Sequence, residues 1–266
     1  MLDFVIPFII LILVVVFIHE YGHYYFAKKY GVGVTDFSIG FGKELFGWND
    51  NSGTRWKICL IPLGGYVKFF GDRNVFSQSD QEALIKKYNE KEREKLFVLK
   101  PLYQRSIIVA AGPIANFILA AVIFLFIYMF VGKDFTPAVI NEVQIESPAA
   151  EAGLKKNDII LEIDDTKVKS LLDVSKLITM STGEFIDFKV SRLDQDVILK
   201  VKPKIVASTD NLGNKMNKRI VGIKLGPFNN QINHVKLGPA KALYYSLNEV
   251  YFVTISSLKY LGSMLS

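Results

Sequence analysis

Three side chains within a run of five, His19, Glu20 and His23, have the types and spacing of a metal-assisted hydrolytic centre. Imidazole nitrogens are good ligands for zinc, and a carboxylate beside the ion can take a proton from water that the ion has acidified. At 3.6 residues per turn, His19 and His23 stand one turn apart on one helical face, with Glu20 on the flank between them. The chemistry on offer is amide hydrolysis with Zn2+ as cofactor, His19 and His23 as metal ligands and Glu20 as the catalytic base. A satisfied histidine pair at the end of a buried helix is the plainer alternative. Burying His, Glu and His together in apolar surroundings without a metal or partner is expensive, which disfavours it.

The element that must carry these residues is apolar. Phe4 to Ile18 holds no charge, and its fifteen residues rise only about 22 Å, short of the roughly 30 Å hydrocarbon layer of a bilayer. The span therefore continues through the motif to Ala27, with Lys28 and Lys29 at the water boundary. A signal peptide is a poor fit, because the chain opens with Asp3 and offers no small-residue cleavage site before Ala27. The metal site is expected below the membrane surface, nearer the lysine end. A water-soluble zinc hydrolase is disfavoured, since its motif helix should be amphipathic.

A second span is expected over Ile107 to Val131, twenty-five residues without a charge. Its first half, A-A-G-P-I-A-N-F, carries Ala110, Ala111, Gly112 and Ala115, which permit close helix approach. Pro113 disturbs the helical ladder, and Asn116 either bonds a neighbouring helix or supports the active site directly. Cations crowd at Lys28, Lys29, Lys100 and Arg105, so residues 28–106 are expected on the cytoplasmic side and everything from Gly132 onward outside.

Half of the residues are hydrophobic and 22% are charged, the balance of a membrane protein with sizeable water-exposed parts. The single cysteine, Cys59, excludes an intramolecular disulfide framework. The net charge of +6 comes from scattered lysines that follow the membrane ends, and no nucleic-acid motif accompanies them, so no nucleic-acid partner is expected. The lipid bilayer is the expected partner surface.

Between the spans, W-K-I-C-L-I-P-L-G-G-Y-V-K-F predicts two short strands turned at Pro62 to Gly65. If that hairpin dips toward the metal, its free backbone groups can hold an unwound peptide extended; an ordinary surface hairpin fits the residues equally well. Asp80 to Lys100, dense in mixed charge, predicts a solvated helix. After the second span, short strands at Ala138 to Gln144, Ile159 to Ile163, Phe185 to Ser191, Val197 to Val201 and Ile220 to Leu225 alternate with helix-prone stretches at Ala149 to Gly153 and Leu172 to Met180. Pro148 can start the first of these helices and Gly153 can end it, and Ile159, Leu161 and Ile163 should face one side. This is the pattern of an α+β PDZ domain, which implies either a peptide ligand bound by strand addition or a steric filter over the active site.

Taken in order, the motifs resemble the site-2 protease family of intramembrane zinc metalloproteases, in particular the bacterial regulator-of-sigma-E type. H-E-Y-G-H at His19 to His23, G-F-G at Gly40 to Gly42, I-P-L-G-G-Y-V-K at Ile61 to Lys68, A-A-G-P-I-A-N-F at Ala110 to Phe117 and a following PDZ domain carry the resemblance over essentially the whole chain. It implies zinc at His19 and His23 and activation of water by Glu20. It also implies engagement of membrane-protein substrates by Pro62, Gly64, Gly65, Tyr66 and Val67, and cleavage of membrane-tethered regulators or remnant signal peptides. The implied location is the bacterial inner (cytoplasmic) membrane, multi-pass, with the PDZ domain periplasmic or extracytoplasmic.

The expected architecture is a membrane α-helical fold with a cytoplasmic membrane-associated β-hairpin and an α+β PDZ domain. Transmembrane helix 1 covers 1–27, the cytoplasmic loop with its re-entrant hairpin 28–106, transmembrane helix 2 covers 107–131, the PDZ domain 132–236, and an amphipathic or interfacial helix 237–266. Charges at Glu249 and Lys259 leave too short an apolar window for a third span in the last segment. Family members carry a later N-x-x-P-x-x-x-L-D-G motif whose aspartate is the third zinc ligand. This chain does not contain it, so a truncated protease is expected, with a catalytically incomplete membrane-anchored PDZ binding protein as the alternative. His234, beyond the PDZ domain on the far side, is not expected to bind this metal.

Overall fold

The computed structural model describes residues 2–72, 81–209, 215–227 and 232–265, in two compact units, Met1–Ile123 and Phe124–Ser266. In the first unit, helix α1 (Leu2–Lys29) runs without a break through the histidine motif and ends on Lys28 and Lys29, where cations complement the partial negative charge of a helix C-terminus. Its apolar residues are not gathered on one face, and Phe4, Phe8, Leu11 and Val14 are all exposed. Such a surface is stable in hydrocarbon and costly in water. Among the described residues two helical stretches, Phe4–Lys29 and Leu102–Val131, are long and apolar enough to cross a membrane.

Strands β1 (Val34–Asn49) and β2 (Arg55–Phe69) follow α1. The chain reverses at Asp50–Thr54, not at Pro62 to Gly65 as the sequence suggested. Pro-Leu-Gly-Gly is instead a bend inside β2, where a proline without an N–H is tolerated at the margin of a sheet. Asp50 drives the true turn: its Oδ1 accepts from the backbone N–H groups of Ser52 and Thr54, each at 2.9 Å, and from the Ser52 hydroxyl at 2.7 Å. The two long strands also pair twice. Phe37 is opposite both Val67 and Trp56, and Ile39 is opposite both Gly65 and Ile58, while Trp48 meets Trp56. The segment 36–39 therefore lies between 55–58 and 65–68, making 65–68 an end row of the sheet. Left-handed glycines at Gly40 (φ 86°), Gly42 (φ 85°) and Gly64 (φ 113°) supply the bends that this doubling requires.

The charged stretch after the sheet is not one helix. Among the described residues it forms α2 (Gln81–Lys87) and α3 (Glu90–Arg93), and Asp80 lies outside them. Asn89 separates the two, with its side chain accepting from Glu92 N–H while Glu92 reaches back to the Asn89 N–H. That reciprocal cap starts a new helix where charge density alone predicted continuity. Helix α4 (Leu102–Phe126) begins before the expected Ile107, continues through Pro113 and passes into a π-helical turn, Ile127–Val131, closed by Gly132. It approaches α1 closely: a Cβ on Gly22 would lie 2.5 Å from the Ala111 carbonyl oxygen and 3.0 Å from Ala115 Cβ.

The second unit contains β3 (Lys133–Asp134), β4 (Val139–Val143), α5 (Pro148–Glu151), β5 (Ile159–Ile163), β6 (Thr166–Lys167), α6 (Leu171–Met180), β7 (Ile186–Arg192), β8 (Gln195–Val201), β9 (Lys204–Thr209), β10 (Lys215–Ile220), β11 (Ile223–Gly226), β12 (His234–Val235) and α7 (Pro239–Leu265). The main sheet has the order β11-β4-β5-β7-β8, with β6 on β5. Ile186, Phe188 and Val190 alternate into the core from β7, each contributing about 1.5–3 kcal/mol by burial. Ser147 caps α5, Pro148 opens it, and Gly153 follows at φ 84°. On β5 the buried residues are Ile160 and Ile163 rather than Ile159, Leu161 and Ile163. A register shift between Ile160 and Glu162 against β7 breaks the alternation. The pair Asp158–Arg192 secures the strand start: Asp158 is buried and Arg192 binds both its carboxylate oxygens, Nε at 2.8 Å and Nη2 at 2.7 Å. Helix α7 buries Ala242, Ser246 and Ser256 and exposes Leu243, Leu247, Tyr251 and Leu258.

Candidate active site

His19 and His23 point the same way from α1, with their Nε2 atoms 3.2 Å apart. Two ligands on one tetrahedral zinc with bonds of about 2.0–2.1 Å stand roughly 3.3 Å apart. The pair thus has the separation that a shared ion needs. The opposing wall is α4. Ile108 accepts a hydrogen bond from His23 Nδ1 at 2.8 Å, and the Asn116 amide lies 3.2 Å from His19 Nδ1. Between them Gly112 leaves a hollow at the two Nε2 atoms, where a Cβ would collide with His23 Nε2 and come within 2.8 Å of His19 Nε2. A helix wall stripped of its side chain opposite two converging imidazoles is the cradle a small cation fits. Among the described residues no third His, Cys, Asp or Glu joins them as a ligand group.

The end row of the sheet comes to the same place. Gly65 is pressed between the Ser38 carbonyl, Val16 and Glu20, so that a Cβ there would lie 2.9 Å from Val16 and 3.0 Å from Glu20 Cγ. The Val67 backbone lies beside the Glu20 carboxyl, and Val67 packs against the cluster of Ala27, Val32, Val34 and Ile108. Gly64 instead backs onto the Phe41 ring, Tyr66 stacks on Phe41 with ring centres 6.1 Å apart, and Pro62 sits half-buried at the bend before them. The structure therefore brings Gly65 and Val67 to Glu20, with Gly64 and Tyr66 one layer behind. His234 bonds the Val131 carbonyl at 3.1 Å.

The far end of the sheet is tied to α1 as well. Asp50 Oδ2 accepts from the Tyr24 hydroxyl at 2.9 Å and from the Trp56 indole N–H at 3.1 Å, inside an aromatic group in which Phe37 stacks on Trp56 at 4.1 Å and Tyr24 meets Trp56 edge-on at 5.1 Å. Burial pushes the Asp50 pKa up, but the bonds from Ser52, Trp56, Thr54 and Tyr24 outweigh it and hold the carboxyl well below its ordinary value. Sequence reasoning missed this anchor, although an Asp followed by Asn-Ser-Gly is a turn signal. It also missed Gly112 as more than a packing residue, and the Ile108 carbonyl, which no side-chain pattern could reveal.

Comparison with known proteins bears on this arrangement. Residues 7–266 match the peptidase family M50. The chain belongs to peptidase family M50. An M50 relative from Agrobacterium fabrum, named "Putative zinc metalloprotease", is 38% identical over 263 residues, 99% of this chain and 70% of that protein. One from Rickettsia conorii, named likewise, is 37% identical, covering 98% and 70%. Metalloprotease MmpA of Caulobacter vibrioides is 38% identical over 221 residues, 80% of this chain and 56% of that protein. The chain is thus shorter than these relatives. Among solved structures, the PDZ domain of an SdrC-like protein from Listeria monocytogenes is similar at 23% identity, with a TM-score of 0.27 over 34% of this chain and 88% of that one.

Proposed function

We propose that this M50 chain carries the motif half of an intramembrane zinc metalloprotease that cleaves transmembrane segments of membrane-tethered regulators or remnant signal peptides. The observation that carries the reading is the convergence of His19 and His23, 3.2 Å apart, on a helix apolar enough to span a bilayer, with the sheet edge at Gly65 touching Glu20. His19 and His23 would hold zinc, with a further ligand needed beyond those two. Zinc supplies Lewis acidity toward a carbonyl oxygen and lowers the pKa of water. Glu20 takes the proton of the attacking water and delivers it to the leaving amine. Backbone groups of the Gly64–Val67 row pair with a substrate stretch that has unwound from helix to strand, which exposes its amide to attack. Pro62 and Tyr66 shape that row, and Asn116 supports the metal site. The chain is placed in the bacterial inner membrane as a multi-pass protein with residues 28–106 cytoplasmic, the PDZ domain extracytoplasmic and α7 lying in the interface with its Leu243, Leu247 and Tyr251 face toward lipid.

The test is zinc stoichiometry of the full chain in detergent, together with cleavage of a helical membrane substrate when the L-D-G-bearing segment of a relative is supplied. Metal-free protein that stays inert under those conditions would refute the protease reading. A second reading, a catalytically incomplete membrane-anchored PDZ binding protein, is favoured by one feature. A groove of about 240 Å³ runs between α6 (Val174, Ile178) and the edge strand β11 (Ile223, Leu225), open to an added peptide strand. Peptide binding at this groove without zinc binding would select it.

A further inference from the structure

Ile108, Gly112 and Asn116 follow one another at intervals of four on α4 and face the histidine pair as one row. Ile108 fixes His23: its carbonyl can only accept, so Nδ1 of His23 carries the proton and Nε2 keeps its lone pair. Gly112 clears the space. Asn116 is the unresolved member, because its Nδ2 lies 3.2 Å from His19 Nδ1 while its Oδ1 is buried with no hydrogen-bond partner.

In that orientation the bonds form one chain. Asn116 donates to His19 Nδ1, the proton of His19 must then sit on Nε2, and His19 Nε2 donates to His23 Nε2 across 3.2 Å. This closes the metal-free site but occupies both lone pairs that a cation requires. A half-turn of the amide about its last torsion exchanges Nδ2 and Oδ1 with almost no change of shape. The buried oxygen then gains a donor, His19 Nδ1–H, and both Nε2 lone pairs are free.

We infer that Asn116 is a positioning residue for His19, whose side-chain oxygen accepts the Nδ1 proton and thereby presents Nε2 to the metal, as Ile108 does for His23. The proton moves from Nε2 to Nδ1 of the same ring through water, so nothing is consumed. The inference rests on the zinc reading of the site, yet its first consequence is visible without metal. A donor at position 116 selects the Nε2–H tautomer of His19, and an obligate acceptor selects Nδ1–H.

The experiment uses the full chain in detergent with 15N-labelled histidine, at a pH where the imidazoles are neutral. Metal-free protein should show His19 as Nε2–H, Asn116→Asp should convert it to Nδ1–H, and Asn116→Leu should leave no single tautomer. Zinc titrated against a competing chelator should bind Asn116→Leu about 10–100-fold more weakly than the original protein, with Asn116→Asp restoring affinity. A His19 tautomer indifferent to residue 116, or equal zinc affinity in Asn116→Leu, overturns the inference. Asn116→Asp keeps the shape of the side chain while making it an acceptor, so it answers the question if the leucine variant fails to fold. Failure of the original protein to bind zinc while its tautomers respond as stated would sink the zinc reading and leave the Asn116–His19 coupling standing.

Discussion

Gly112→Ala is the sharpest probe of the metal cradle, because it adds one methyl group and nothing else. At its ideal position the new Cβ collides with His23 Nε2 and lies 2.7 Å from His23 Cε1 and 2.8 Å from His19 Nε2, at least about 0.6 Å inside an ordinary contact of roughly 3.4 Å. The backbone on either side cannot retreat freely, since Gly22 already holds α1 within 2.5 Å of the Ala111 carbonyl by the same measure. The imidazoles must give way instead, and a displacement near 0.5 Å exceeds what a metal site tolerates. Overpacking of this kind costs about 1–3 kcal/mol. Taken on the metal-bound state, that is roughly a 5- to 150-fold loss of zinc affinity. Helix propensity works in the other direction, favouring alanine over glycine by about 1 kcal/mol. The overlap is already present without metal and its cost outweighs that gain, so the metal-free variant should melt at or below the temperature of the parent while its zinc affinity falls. Chelator competition and thermal unfolding of the metal-free form read the two halves separately. Undiminished zinc affinity in Gly112→Ala would refute the cradle.

Other consequences are equally direct. Glu20→Gln should keep zinc but lower cleavage of a helical membrane substrate in the completed enzyme by about 10²–10⁴-fold; unchanged turnover removes Glu20 from the mechanism. The Asp50 carboxyl has its pKa depressed on folding, so its contribution to stability is fully present above the unfolded value near 3.9 and is lost as pH falls below it. The stability difference between the parent and Asp50→Asn, followed by Trp56 fluorescence, should accordingly be largest at neutral pH and shrink below about pH 4. Arg192→Ala leaves the buried Asp158 carboxylate without its bidentate partner and should destabilise the second unit by about 3 kcal/mol in chemical denaturation.

The placing of His19, Glu20 and His23 together was legible because it depends on one helix, where spacing translates directly into geometry. The strands of the second unit were legible for a similar reason: Ile186, Phe188 and Val190 alternate so regularly that their burial could be expected. What escaped was set by contacts distant in sequence. Pro62 to Gly65 has turn composition, yet Asp50 captures the turn through five hydrogen bonds, two of them from Tyr24 and Trp56. The double pairing of Phe37 with Val67 and Trp56 has no local signature. On β5 the register shift leaves Leu161 as an extra residue between Ile160 and Glu162 against β7, a bulge that simple alternation does not predict. At the site, the roles of Gly112 and the Ile108 carbonyl arise from α4 lying against α1, and only the small residues around them hinted that the approach would be close.

The sheet is fastened to the histidine-bearing helix at two places, Gly65 against Glu20 and Asp50 on Tyr24. A structure bolted at both ends offers little give between them, so strand and helix should travel as a single rigid body. For inhibitor chemistry this favours stiff, pre-extended backbone mimics over flexible chains, because a receptor that does not adapt rewards ligands that have already surrendered their own freedom.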